Sequence, residues 1–130
     1  MEAIAAGKCD VGIVNTYYFG TLKKEKPDLP IALFWPNQAS SGTHINVSGA
    51  GITTHAKHPK EARQLLEWLA GPEAQQLFAE LNMEYPANPA VSPDATVAAW
   101  GTFKSESLNL SLAGEHQAAA VRLMDRAGYK

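Results

Sequence analysis

The chain has 130 residues, enough for one domain, and its 45% hydrophobic and 18% charged residues describe a soluble, globular polypeptide. A net charge of -2 predicts no general attraction to nucleic acid or to an acidic membrane. No basic run and no apolar stretch of membrane-spanning length occurs, so the chain is expected not to span a membrane.

Residues 1–7 lack the basic region of a signal peptide. They read as the last turns of a helix that would begin upstream, an expectation under which the chain is a piece of a longer one. Cys9 is the single cysteine and has no internal partner. It reads as a small buried residue before a strand, with a disulfide partner possible only upstream. Residues 9–15 read as a short buried strand. Residues 16–26 read as a helix capped by Asn15 or Thr16 and stopped by Pro27, Asp28 and Pro30. A second strand is expected over 31–35, broken by Pro36, and a polar loop over 37–42. Residues 45–52 read as a third strand, in which Gly49 and Gly51 allow a bend or a close backbone approach.

The clearest helices follow. Pro59 fits a first helical position, and Ala62, Leu65, Leu66 and Leu69 keep helical spacing up to Gly71. Pro72 opens a second helix with Ala74, Leu77, Phe78 and Leu81 in the same spacing, ending near Asn82. Residues 85–89 carry two prolines and must be extended or turned. Residues 114–127 read as a last helix, with Ala120, Leu123, Met124 and Ala127 on one face. Three short strands among these helices are too few for a self-sufficient sheet, so the chain looks like part of a larger α/β protein.

The dipeptide Tyr17-Tyr18 at the exit of the first strand carries the most chemistry. A phenolate is a hard anionic oxygen donor that suits a hard trivalent cation. A metal charge favours the ionised phenol, whose free pKa is about 10. The plain reading of such a pair is one core tyrosine beside one surface tyrosine.

The run from Asn15 to Gly20, together with Trp35-Pro36-Asn37-Gln38, residues 42–51, residues 84–89, residues 120–125 and residues 127–129, resembles the periplasmic ferric-iron-binding proteins of bacterial ABC importers. The resemblance covers nearly the whole chain in order. It implies the C-terminal portion of an α/β, two-lobed periplasmic binding protein of type II, incomplete in this chain. Residues 1–46 would belong to the metal-binding C-terminal lobe, 47–95 would cross into the N-terminal lobe, and 96–130 would return with the final helix. Tyr17 and Tyr18 would be phenolate ligands of Fe(III), and Asn15 would help hold a synergistic anion such as carbonate or phosphate. A helix starting after Asn15 also offers free N–H groups to an anion. The remaining ligands would lie outside the chain. The implied partners are the ferric ion and an inner-membrane ABC permease, in the periplasm, with no bond in the cargo broken.

The other polar residues carry weaker expectations. His55 and His58 fall in an exposed linker before Pro59, and His44 and Asn46 suit hydrogen bonding beside the crossing strand rather than ligation. Ser41 stands where the family often has a basic residue. Tyr85 and the tryptophans Trp35, Trp68 and Trp100 read as packing anchors. The alternatives are a binding protein of the same fold for another small solute or oxyanion, and a truncated fragment that binds nothing. Enzyme signatures such as a nucleophile elbow, a Walker loop or HExxH are absent from the sequence. Unpaired strand edges predict self-association of so short a chain.

Overall fold

The computed structural model describes residues 1–109 and 111–129. Six helices occur among them: α1 (Glu2–Ala5), α2 (Thr16–Glu25), α3 (Pro59–Ala70), α4 (Pro72–Asn82), α5 (Ala95–Ala98) and α6 (Ser111–Ala127). The chain forms two compact units, one of residues 1–34 with 46–102 and one of residues 35–45 with 103–130.

In the first unit, α3 and α4 pack as a helical hairpin. Both begin on a proline, whose missing N–H is not needed in a first turn. Gly71 ends α3 and starts α4 in one extended residue, and its N–H donates to Trp68 O at 2.9 Å. Met83 closes α4 in the left-handed region at φ 57°. The 85–90 segment is tied to the hairpin by polar contacts: Asn88 Nδ2 donates to Ala70 O at 2.9 Å, and Gln75 Oε1 accepts from Ala87 N at 2.6 Å.

The core of this unit is small. Phe19, Ala74, Ala79, Met83 and Val97 are buried, and Gly20 is buried beside Phe19 on α2. Trp100 makes edge-to-face contacts with Phe19 at 5.7 Å and with Tyr85 at 6.2 Å, so both anchor as expected. Trp68 does not. It is half-exposed, and its indole N–H donates to Glu73 at 2.9 Å.

The second unit is knit by residues distant in sequence. Trp35 stacks on Phe103 with centroids 4.3 Å apart. Gln38 Nε2 donates to Thr43 Oγ1 at 2.9 Å and to Lys104 O at 3.1 Å, while its Oε1 accepts from Lys104 N at 2.7 Å. Thr43 and Ser105 form a parallel bridge, with Thr43 N to Lys104 O and Glu106 N to Thr43 O both at 2.8 Å. Helix α6 starts earlier than residue 114 because Asn109 Oδ1 accepts from Ser111 N at 3.0 Å, a capping contact that the apolar spacing does not register.

The three expected strands do not form. Residues 9–15, 31–35 and 45–52 run without a ladder, and the Thr43–Ser105 bridge is the sole β pairing among the described residues. Val11 is 84% exposed, Ile13 104% and Phe34 84%, so the buried strand expected over 9–15 is corrected to an exposed segment. Cys9 is exposed too, against the expected burial. The physical reason is that a strand satisfies its backbone only against a neighbour, and apolar period-2 sequence states a preference without supplying one.

Candidate metal centre

Helix α2 places the tyrosine pair. Its N-cap residue is Asn15, extended at φ -71° and ψ 141°, whose carbonyl accepts from Tyr18 N at 3.2 Å. Phe19 and Gly20 on the next positions are buried and fix the helix against the core. Tyr17 and Tyr18 therefore stand in the first turn, Tyr17 half-buried and Tyr18 exposed.

Consecutive helical positions differ by about 100° around the axis, so adjacency alone does not bring two rings together. Here the ring centroids are 4.4 Å apart at 52°. Asn15 Nδ2 donates to Tyr17 Oη at 2.9 Å, and Asn46 Nδ2 donates to Asn15 Oδ1 at 3.3 Å. The Asn15 side chain makes no capping bond to the helix; its acceptor Oδ1, the end that could cap, takes the Asn46 amide instead.

The electrostatics hold a proton on Tyr17. The Tyr17 phenol is pushed above its ordinary value chiefly by hydrogen bonding with Tyr18, then by loss of water contact and by the Tyr18 charge. The Asn15 donor opposes this, and the Glu84 carboxylate adds slightly to it. A cation must therefore displace phenolic protons to reach the oxygens, and its own charge is what makes that favourable. Both rings line a recess of about 620 Å³ that also carries Glu25, Asn82 and Glu84. A wall with two carboxylates and two phenols favours a cation over an anion by simple Coulomb attraction.

Among the described residues no three His, Cys, Asp or Glu side chains gather as a metal site. His55, His58 and His116 are exposed, and His44 Nδ1 lies 3.1 Å from Glu106 Oε2. The structure thus brings together Asn15, Tyr17 and Tyr18 and leaves the histidines apart. Spacing in the sequence gave no signal for Asn46 beside Asn15 or for Glu84 near Tyr17, since both approach from segments far along the chain.

Residues 1–105 match the family model of bacterial extracellular solute-binding proteins, the family to which the chain belongs. The chain is 42% identical over 138 residues to iron uptake protein A2 of Synechocystis, covering 100% of this chain and 40% of that protein. Among solved structures, the ferric binding protein from Campylobacter jejuni superposes with a TM-score of 0.91 at 31% identity, over 99% of this chain and 43% of that one. The Trichodesmium protein solved with iron and citrate ligands superposes with a TM-score of 0.88 at 41% identity, over 98% and 42%. The chain thus spans about two fifths of its relatives' length, and its fold is an incomplete part of their α/β two-lobed, type II architecture. No helix among the described residues is long and apolar enough to cross a membrane.

Proposed function

We propose that this chain carries the tyrosine side of a ferric-ion site, in a protein that binds Fe(III) in the periplasm and delivers it to an inner-membrane ABC permease. Tyr17 and Tyr18 bind as phenolates. Asn15 and the start of α2 face a synergistic anion such as carbonate or phosphate, which accepts from their N–H groups. In the intact protein, residues 1–46 and 96–130 belong to the metal-holding lobe and 47–95 to the opposite one. These boundaries differ from the two compact units, which reflect only contacts the chain makes with itself.

The observation that carries the reading is the convergence of the two phenol rings in the first turn of α2, with the Asn15 amide turned to offer Tyr17 a donor. A phenolate accepts hydrogen bonds and donates none, so a donor beside it suits the ionised ligand. The names of the relatives, an iron uptake protein and a ferric binding protein, agree with that chemistry. The protein acts as a carrier and not as an enzyme. Phenolate prefers Fe(III) to Fe(II), so reduction, protonation or opening of the lobes releases the cargo.

Two oxygens do not fill an octahedral shell, and the remaining ligands come from outside this chain. Titration with Fe(III) citrate, followed in the visible, tests the proposal. A tyrosinate-to-iron band is expected in this chain or in an N-terminally extended one, and it should be lost in both Tyr17→Phe and Tyr18→Phe. Absence of colour from the extended protein rejects the iron reading.

A further inference from the structure

We infer that Asn46 is a positioning residue for the tyrosine pair: its amide donates to Asn15 Oδ1 and thereby turns Asn15 Nδ2 toward the Tyr17 hydroxyl oxygen. The inference rests on the ferric-site reading and adds a residue to it. Asn15 has two ends of opposite character, and a half-turn of its amide exchanges them. With Nδ2 toward Tyr17, the phenol oxygen keeps a donor after its proton has gone to make way for a cation. With Oδ1 toward Tyr17, the amide would hold the phenolic proton in place. Once that proton left, carbonyl and phenolate lone pairs would face each other.

The choice between these orientations is not made by the helix, because Asn15 makes no side-chain capping bond. Asn46 supplies the determinant from 31 positions along the chain. The sequence of donors runs one way, from the Asn46 amide to the Asn15 carbonyl and from the Asn15 amide to the Tyr17 oxygen. That is the only direction compatible with an acceptor-only phenolate at the end. Asn46 is itself exposed and its amide donates to Asn15, so it acts through Asn15.

Two substitutions separate this role from a general one. Asn46→Asp is isosteric but can only accept, so it draws Asn15 Nδ2 to itself and turns Oδ1 toward Tyr17. Coulomb attraction alone predicts that this added carboxylate strengthens binding of a cation, whereas the positioning role predicts weakening, by roughly three- to tenfold, the scale of one hydrogen bond. Asn46→Ala removes the donor without adding charge. The metal-free protein is examined by NMR at the Tyr17 ring carbon that bears the hydroxyl and at the Asn15 side-chain amide. Both resonances should move in Asn46→Asp and Asn46→Ala, and the Tyr17 carbon should not respond to Asn46 changes when Asn15 is already alanine. With Fe(III) citrate, the tyrosinate band should shift to longer wavelength in the variants, because a phenolate without its donor gives up charge more easily. An unmoved Tyr17 carbon, an equal movement in the Asn15→Ala background, or tighter iron binding by Asn46→Asp overturns the inference. The NMR comparison needs no iron, so failure of the wild-type chain and its extended form to colour rejects the ferric reading while the Asn46 role is still decided.

Discussion

Gly20 lies inside α2, three positions after Tyr17, where an alanine ordinarily favours a helix by about 1 kcal/mol. Here an added Cβ would stand 2.9 Å from Met83 Cβ, 3.1 Å from Met83 Cγ and 3.1 Å from a Trp100 ring carbon. Neither neighbour yields easily. Met83 is 3% exposed and holds a left-handed backbone at φ 57°, and Trp100 is in contact with Phe19 and Tyr85. Overpacking of this kind costs about 1–3 kcal/mol, so Gly20→Ala should be destabilising by about 1 kcal/mol after the helical gain is subtracted. On a chain of this size that lowers the Tm by about 4 °C. Gly114→Ala is the control, since a Cβ there meets nothing within 4 Å and only the helical gain remains. Urea unfolding followed by circular dichroism, with the slope m compared between variants, measures both. Equal stabilisation by the two substitutions would refute the claim that α2, and with it the tyrosine pair, is held by close contact with Met83 and Trp100.

Gly42→Ala should break the link between residues 43 and 105, because Gly42 has φ 97° and its Cβ would lie 2.7 Å from the Ser105 carbonyl group. A backbone collision at positive φ costs at least about 2 kcal/mol, read as faster hydrogen exchange at the Thr43 and Glu106 amides. Gln38→Ala removes the acceptor of Lys104 N and three donated bonds, to Pro36 O, Thr43 Oγ1 and Lys104 O; it should cost about 1–2 kcal/mol and expose the same amides without steric strain. The Asp94 carboxyl is held below its ordinary value of 3.8, chiefly by the Thr96 backbone N–H. Its contribution to stability is therefore present above pH 3.8 and lost as pH falls through the lower folded value. Asp94→Asn keeps the acceptor and should flatten that part of an acid-unfolding curve.

The helices were legible because their signals are local. Pro59, Pro72 and Gly71 mark the hairpin at residue resolution, and the 3.6-residue spacing between them needs no distant partner. The last helix was read three residues short because its start depends on the Asn109 side chain rather than on an apolar face. The strands failed for the opposite reason. Val11, Ile13 and Phe34 have the composition of sheet residues, but the chain provides no neighbouring strand, and they stand exposed. Trp68 shows the same limit for side chains: a large apolar residue on the right face is half-exposed when little lies against that face.

By itself the sequence determined the helix pair, the position of Tyr17 and Tyr18 in the first turn of a helix, and membership of a recognisable family of binding proteins, since each depends on residues adjacent in the chain or on an ordered set of short motifs. The placed structure alone decided that the two phenol rings converge at 4.4 Å, that Asn15 donates to Tyr17 without capping the helix, and that Asn46 reaches Asn15. Only the Asn46 contact joins segments far apart in sequence; the other two are local but depend on side-chain rotamers, and hydrogen bonds fall off within a few tenths of an ångström. No pattern of residue types encodes such distances until the backbone has been placed.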